Sequence, residues 1–162
     1  LVYIIMALSF QSLVHPFTIL FSLPLSLIGA ALALFLTGRV LGISSMIGLL
    51  MLVGIVTTNG IVLMEFVKQL RDEGKPTYEA LVEGGRTRLR PIWMTALATI
   101  LALVPLAVSS EAGAIIAADL AWTVLGGMLV STLLTLVIIP VVYSVIDEGI
   151  SKLMARIRPS AA

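Results

Sequence analysis

Long apolar runs, each close to the length of a membrane crossing, constrain the fold of this 162-residue chain more than any other feature. A helix needs about 20 apolar residues to cross a bilayer, at about 1.5 Å of rise per residue. Four such runs lie between polar breaks, at residues 17–36, 43–67, 91–108 and 119–146, and residues 1–10 have the composition of the end of a further helix. The sequence therefore predicts an all-α integral membrane protein, a polytopic transmembrane helix bundle.

The balance of apolar and charged residues agrees with a membrane location. Hydrophobic residues make up 59% of the chain and charged residues 12%, whereas a soluble domain has about 45–50% apolar and about 25% charged residues. This composition excludes a soluble enzyme, a nucleic-acid-binding protein and a disordered chain. The sequence has no cysteine and one histidine, so it offers no thiol nucleophile, no disulfide and no cysteine-based metal site.

The beginning of the chain carries no targeting signal. Leu1 lies within an apolar run, and neither a basic segment before it nor a small-residue cleavage site after it is present. We therefore expect residues 1–10 to be a truncated helix and the chain to be a fragment of a larger protein.

The distribution of Lys and Arg predicts the orientation of the spans, because short cytoplasmic loops retain positive charge. The loop 68–90 and the tail 147–162 together hold all but one of the ten Lys and Arg residues, and the exception is Arg39. We therefore expect a multi-pass protein with this loop and the C-terminus in the cytoplasm.

The loop 68–90 also carries signals for local structure. Gly74 is suited to end the second span, Pro76 and Thr77 suit a helix start, and Gly84-Gly85 can end that helix. The pattern predicts a short amphipathic helix at the membrane surface.

A polar triplet, Thr57-Thr58-Asn59, lies near the middle of the second span. Burying a polar group within a membrane span costs free energy, so such a group is taken first as a candidate functional residue. Thr58, Val62 and Glu65 share one helix face, so a hydroxyl and a carboxylate could line one seam. Alternatively, the triplet bonds to a neighbouring helix or to its own backbone as part of the packing. The residues alone leave both interpretations open.

The third span offers a second seam. Arg88, Thr95 and Thr99 lie on one face if Pro91 is in the first turn of the helix. A cation below two hydroxyls suits a proton or ion path. The alternative role for Arg88 and Arg90 is that of positively charged anchors at the interface.

Small residues predict where the helices pack, because small-xxx-small spacing lets two backbones approach closely. The candidate packing glycines are Gly54, Gly126 and Gly127. Other side chains are expected to be solvated: His15 as a loop residue beside Pro16, and Glu111 and Asp119 at the outer turn.

Several strings together resemble a known family. They are Gly54-Ile-Val-Thr-Thr-Asn59, Arg86-Thr-Arg88-Leu-Arg90-Pro91-Ile-Trp-Met-Thr95, Leu103-Val-Pro105-Leu, Gly126-Gly127-Met and Ile139-Pro140-Val-Val-Tyr143. In this order they resemble the C-terminal membrane half of resistance-nodulation-division (RND) efflux permeases, and most closely the acriflavine-resistance branch that exports hydrophobic and amphiphilic compounds.

The resemblance implies that residues 1–10 end the family's eighth helix and that the four full spans are the ninth to twelfth. It implies a part of a transporter of the bacterial cytoplasmic (inner) membrane, embedded in lipid and homotrimeric. Such permeases use the proton gradient without a cofactor or metal. They export amphiphilic small molecules, often with a periplasmic adaptor and an outer-membrane channel.

The resemblance also implies a proton relay. In the family, two aspartates on the fourth helix pair with a lysine on the tenth helix and with a threonine and an arginine on the eleventh. Thr95 and Arg88 occupy the eleventh-helix positions, but Thr58 stands where the lysine is expected. A threonine can hydrogen-bond but adds no charge. Our hypothesis is that Thr57, Thr58 and Asn59 give a neutral version of the relay.

Alternatives outside this branch have less support. A stand-alone four-span scaffold or partner subunit without transport activity would fit the absence of an intramembrane charge pair. The heavy-metal and protein-export branches would be expected to show a methionine cluster or an acidic residue in the tenth-helix segment. A membrane-embedded enzyme would need a nucleophile–base pair or metal ligands that the spans do not contain.

Overall fold

The computed structural model describes residues 1–109 and 114–157, and all regular structure in these ranges is helical. The helices are α1 Val2–Phe10, α2 Val14–Leu20, α3 Ser22–Leu36, α4 Ile43–Asp72, α5 Thr77–Val108 and α6 Ala114–Ile157. Four candidate membrane spans result, because α2 and α3 together form one crossing, Val14–Leu36. The predicted all-α membrane bundle is confirmed.

The first crossing is interrupted at Phe21, between α2 and α3. Pro24 lacks the N–H that would bond the carbonyl of Leu20, and its ring crowds that carbonyl. Phe21 itself keeps right-handed helical angles, with φ −63° and ψ −21°. The two helices therefore follow each other with only a local break.

The turn between α4 and α5 follows its sequence signals. Gly74 has φ +90°, in the left-handed region that favours glycine, and its N–H donates to the carbonyl of Arg71 at 2.9 Å. Pro76 is extended and precedes the first residue of α5, Thr77. Beside this turn the Glu83 carboxylate accepts a hydrogen bond from Lys75 and raises the pKa of that amine.

The prediction that Gly84-Gly85 end a short surface helix is wrong, because α5 runs without a break from Thr77 to Val108. Gly84 serves close packing instead: a Cβ there would lie 2.7 Å from Cγ2 of Val67 on α4. Pro91 lies inside the helix rather than in its first turn, and it removes only one backbone hydrogen bond. Most of the predicted loop 68–90 is therefore helical.

The predicted C-terminal tail is also helical over most of its length. α6 spans 44 residues and ends at Ile157, so residues 147–157 continue the fourth crossing. Residues 158–162 of the tail, and Glu111 of the outer turn, lie outside the described residues.

Close helix packing centres on α6. A Cβ at Gly126 would lie 2.0 Å from the Cβ of Ala33 on α3, and one at Gly127 would lie 2.1 Å from Cδ2 of Leu52 on α4. Gly54 is different, since a Cβ there would meet no atom within 4 Å. The structure therefore places Gly126 and Gly127 at helix contacts, whereas Gly54 lies on the exposed side of α4 and contacts no other described helix of this chain.

The buried apolar residues form separate clusters along the bundle. The largest lies at the helix ends beside the turn between α4 and α5, which we call the inner ends after the predicted orientation. It includes Met6, Phe10, Ile19, Leu63, Met64, Val67, Ile139 and Tyr143. A middle cluster contains Ala30, Leu52, Val56, Ala96 and Met128. Each of these two clusters contains residues of α4, α5 and α6 and so packs these three helices together.

Candidate functional site

The polar triplet of α4 is divided between two sides of the helix. Thr57 is buried, with 6% of its surface exposed, and its hydroxyl has no hydrogen-bond partner. Thr58 is exposed and donates to the carbonyl of Gly54 at 2.9 Å. Asn59 is half-buried, and Glu65 lies two turns beyond Thr58 on the exposed side. This exposed side of α4 carries the seam that the spacing predicts.

The candidate residues of α5 are bound mainly by their own helix. Thr95 is exposed, and its hydroxyl lies 2.9 Å from the carbonyl of Ile92 and 3.2 Å from that of Pro91. Arg88 is half-buried, and its guanidinium carbon lies 4.8 Å from the ring centre of Phe66 on α4, a cation–π contact. The Nε atom of Arg88 is buried without a hydrogen-bond partner.

Contacts between α4 and α5 set the relative level of these residues. The two helices are antiparallel, and Phe66 meets Arg88, while Val56 and Ala96 share the middle cluster. Thr58 lies two residues from Val56 toward the α4–α5 turn, and Thr95 lies one residue from Ala96 in the same direction. At about 1.5 Å per residue, these contacts place the two threonines at similar levels, within about 3 Å along the helix axes.

These candidates do not hydrogen-bond to one another. Within residues 1–109 and 114–157 no hydrogen bond joins any two of Thr57, Thr58, Asn59, Arg88 and Thr95. The hydroxyls of Thr58 and Thr95 instead bond the backbone of their own helices, in the manner typical of threonine within spans. Of these residues, Thr58 and Thr95 share a similar level along the helix axes and an exposed side chain.

A polar cluster at the inner ends of the helices is missing from the sequence-based expectations. His15 is only 8% exposed, so the prediction of a solvated loop residue is wrong. Its ring stacks on Tyr143 with centroids 5.1 Å apart and meets Phe10 edge-on at 5.5 Å. These partners lie on α1 and α6, and no local pattern around His15 indicates them.

Charged residues complete this inner cluster. Arg71 of α4 forms an ion pair with Asp147 of α6, with 3.2 Å between Nη1 and Oδ1, and also donates to the hydroxyl of Tyr143. Thr77 of α5 donates to Asp147 at 2.9 Å. Lys68 donates to the carbonyl of Phe10 at 2.9 Å. Side-chain bonds therefore connect the inner ends of α1, α4, α5 and α6.

The outer ends are joined by a second ion pair. Arg39, the one basic residue of the predicted outer turns, pairs with Asp119 of α6. The side chains are 28% and 26% exposed, respectively, so the expectation of a freely solvated Asp119 is wrong. Its partner lies in a turn 80 residues away in sequence, which the local pattern around Asp119 does not reveal.

Among residues 1–109 and 114–157, no group of three or more His, Cys, Asp or Glu side chains is placed to hold a metal ion. The polar groups of this site are therefore hydroxyls, amides, cations and isolated carboxylates.

Comparison with known proteins adds the family. The model of the AcrB/AcrD/AcrF family matches residues 1–147. The swarming motility protein SwrC of Bacillus subtilis (strain 168) is 51% identical over 149 residues, which is 91% of this chain and 14% of that protein. The multidrug resistance protein MdtC of Erwinia amylovora is 43% identical over 148 residues, again 91% of this chain and 14% of the relative.

The fold comparison agrees. The crystal structure of a heavy metal efflux pump, crystal form II, superposes with a TM-score of 0.81 and 33% identity, over 90% of this chain and 15% of that one. The chain thus spans about one seventh of the length of these relatives. The matching family model, the relatives and the shared fold show that the chain belongs to the AcrB/AcrD/AcrF family of RND permeases.

Proposed function

We propose that this chain forms part of the membrane domain of a proton-driven RND efflux permease that exports amphiphilic compounds across the bacterial cytoplasmic membrane. The observation that carries the proposal is that Thr58 on α4 and Thr95 on α5 lie at similar levels along the helix axes. Both are exposed within apolar spans, and although each hydroxyl donates to a carbonyl of its own helix, its oxygen can still accept a hydrogen bond from another helix. A proton relay in which these hydroxyls hydrogen-bond to polar side chains on another helix of the permease fits this arrangement.

The relatives support amphiphilic compounds as the substrate class. The MdtC proteins are named for multidrug resistance and are 40–43% identical to this chain, whereas the heavy metal pump is 33% identical. Metal export remains the competing substrate class. The chain spans about one seventh of the length of these relatives. Residues that determine substrate specificity are therefore expected elsewhere in the permease as well.

In this proposal Thr58 and Thr95 supply hydroxyls to the relay, and Arg88 supplies positive charge on the inner side. Arg88 lies seven residues, or about two helical turns, from Thr95 toward the α4–α5 turn. Asn59 and the buried hydroxyl of Thr57 provide further hydrogen-bonding groups without charge. The relay is thus neutral on α4, and the carboxylates come from a helix elsewhere in the permease.

The assembly and orientation follow the family. We expect a homotrimer in the inner membrane that works with a periplasmic adaptor and an outer-membrane channel. The α4–α5 turn and the end of α6 then lie in the cytoplasm, because they carry most of the basic residues. Membrane lipid surrounds the apolar faces of the spans.

Accumulation of an amphiphilic dye in cells tests this proposal. A host strain without its own efflux pumps expresses one of three proteins from the native reading frame: the unchanged protein, the Thr95→Val variant or the Thr37→Val variant. Thr37 is the matched control, because its hydroxyl also bonds its own helix, at 2.8 Å from the carbonyl of Ala33, far from the relay. We expect the protein and Thr37→Val to lower dye accumulation and Thr95→Val to restore it. Equal accumulation with and without the protein would instead favour a scaffold without transport activity.

A further inference from the structure

Three arginines occupy alternate positions in the first half of α5, and their surroundings differ. Arg86 and Arg90 are exposed, whereas Arg88 between them is half-buried. Exposed arginines at this level suit the role of positively charged anchors at the membrane interface. Of the three, only Arg88 contacts an aromatic ring within the described residues: its guanidinium carbon lies 4.8 Å from the ring centre of Phe66 on α4. Its position therefore depends on α4 as well as on its own helix.

The ring of Phe66 is itself held by packing. It is half-buried and packs against the largest apolar cluster. Gly84 lies four residues before Arg88, about one helical turn. A Cβ at Gly84 would lie 2.7 Å from Cγ2 of Val67 and 3.8 Å from Cδ1 of Phe66. The absence of a side chain at Gly84 thus lets α5 approach α4 closely, one turn from the contact between Arg88 and Phe66.

Within residues 1–109 and 114–157, no carboxylate neutralises Arg88. None of the ion pairs there includes it, and its Nε atom is buried without a hydrogen-bond partner. Glu65, the neighbour of Phe66 in sequence, is exposed and forms no ion pair in the same ranges. An unpaired cation at the edge of an apolar span is costly, and the negative face of an aromatic ring offsets part of that cost.

An aromatic partner holds a guanidinium in a way that a carboxylate does not. A carboxylate would neutralise the positive charge and take up two of the five N–H donors of the arginine. A ring attracts the cation but leaves its charge in place. Arg88 therefore keeps both its charge and N–H donors for an acceptor on another helix of the permease.

We propose that Phe66 is a positioning residue of the relay, whose ring holds the charged guanidinium of Arg88 at the level where the relay uses it. This inference rests on the proposed function, in which Arg88 supplies the positive charge. Phe66 takes no part in proton transfer itself and acts through the place that it gives to Arg88.

The test measures proton-driven export of an amphiphilic dye by the protein expressed from its native reading frame and reconstituted in proteoliposomes. Phe66→Leu removes the ring and keeps an apolar side chain, and Phe66→Tyr restores a ring. Phe35→Leu is the matched control, because Phe35 on α3 is 83% exposed and has no cation–π contact within the described residues.

A second series separates the electrostatic contact from packing. Phenylalanines with one, two and three ring fluorines are incorporated at position 66 from an amber codon, and the same series is made at position 35. Each fluorine weakens the negative face of the ring, while the shape of the side chain stays nearly the same. The series therefore remains informative even if Phe66→Leu does not fold.

We expect transport to fall stepwise with each fluorine at position 66 and to stay constant across the series at position 35. Phe66→Leu is expected to lower the rate by about fivefold, the size of effect typical of a cation–π contact, and Phe66→Tyr to keep it within about twofold. Phe35→Leu is expected to transport as the unchanged protein does.

A flat series at position 66, in a protein that transports, overturns the inference and leaves the proposed function standing. A low rate for Phe66→Leu together with a flat series also overturns it, since that result shows a packing role alone. If the unchanged protein shows no proton-driven transport, the proposed function fails and this inference fails with it.

Discussion

Gly126 on α6 and Ala33 on α3 approach so closely that a Cβ at position 126 would lie 2.0 Å from the Cβ of Ala33. The carbonyl oxygen of Gly29 would lie 2.9 Å from the same Cβ. Contacts this short require the helices to move apart. The α3–α6 contact therefore depends on the absence of a side chain at position 126.

Gly126→Ala is expected to destabilise the protein, although alanine favours a helix more than glycine does. Overpacking a close contact costs about 1–3 kcal/mol, which outweighs the gain of about 1 kcal/mol from helix propensity. Thermal unfolding in detergent measures the effect, with Gly149→Ala as control, because a Cβ at Gly149 in the same helix meets no atom within 4 Å. Equal unfolding midpoints for the two variants would contradict this packing.

Asp147→Asn is expected to loosen the inner ends of the helices. The change removes the negative charge that pairs with Arg71 and accepts a hydrogen bond from Thr77. Because the ion pair is about one-third exposed, solvent screens it, and we expect a loss of about 1 kcal/mol in unfolding free energy.

Glu148→Gln provides the control for Asp147→Asn. The pair of Glu148 with Lys152 spans 3.9 Å and is 70% and 82% exposed, respectively, so its loss is expected to cost at most about 0.5 kcal/mol. Chemical or thermal unfolding of the two neighbouring variants compares them directly. If Glu148→Gln is as destabilising as Asp147→Asn, the inner cluster is not a stabilising contact.

Thr58→Lys is expected to move the pH optimum of transport. A lysine at this exposed position would add a positive charge near the carboxylates of the proposed relay and favour their ionised form, which shifts the optimum by about one unit to lower pH. Thr58→Met is the matched control, since it lengthens the side chain without adding charge. Transport profiles across pH that coincide for the two variants would count against a relay at this position.

Cysteine labelling tests the orientation of the spans. Lys152→Cys places a thiol near the end of α6, and Val40→Cys places one in the turn between α3 and α4, where Val40 is 81% exposed. With any cysteine elsewhere in the permease replaced, a membrane-impermeant maleimide added to spheroplasts is expected to label position 40 and spare position 152. The reverse pattern would show the opposite orientation.

The sequence predicts the number and place of the spans well, because apolar length is a local property. Residues 17–36 and 43–67 lie within the observed crossings Val14–Leu36 and Ile43–Asp72. The end of α4 is also predictable, since Gly74 supplies the left-handed turn that follows it. Local chemistry determines each of these features.

Tertiary contacts explain the features that the sequence does not predict. The sequence predicts that Gly84 ends a helix, but in the structure the absence of a side chain at Gly84 makes room for Val67 on another helix. His15 reads as a loop residue, but Phe10 and Tyr143 enclose it. In both cases the deciding partner is on another helix, and Tyr143 is distant in sequence. The candidate relay is a similar case. Sequence spacing predicts the helix faces of Thr58 and Thr95, but it does not predict that the two residues lie at similar levels.

Transport by the purified protein in proteoliposomes tests whether this permease is driven by protons. The proteoliposomes contain an amphiphilic dye, which is followed by fluorescence. Only the imposed pH gradient is varied. We expect a gradient driving protons inward through the permease to move the dye in the opposite direction, and a protonophore to stop this movement. Dye movement at the same rate with and without the gradient would contradict a proton-driven permease.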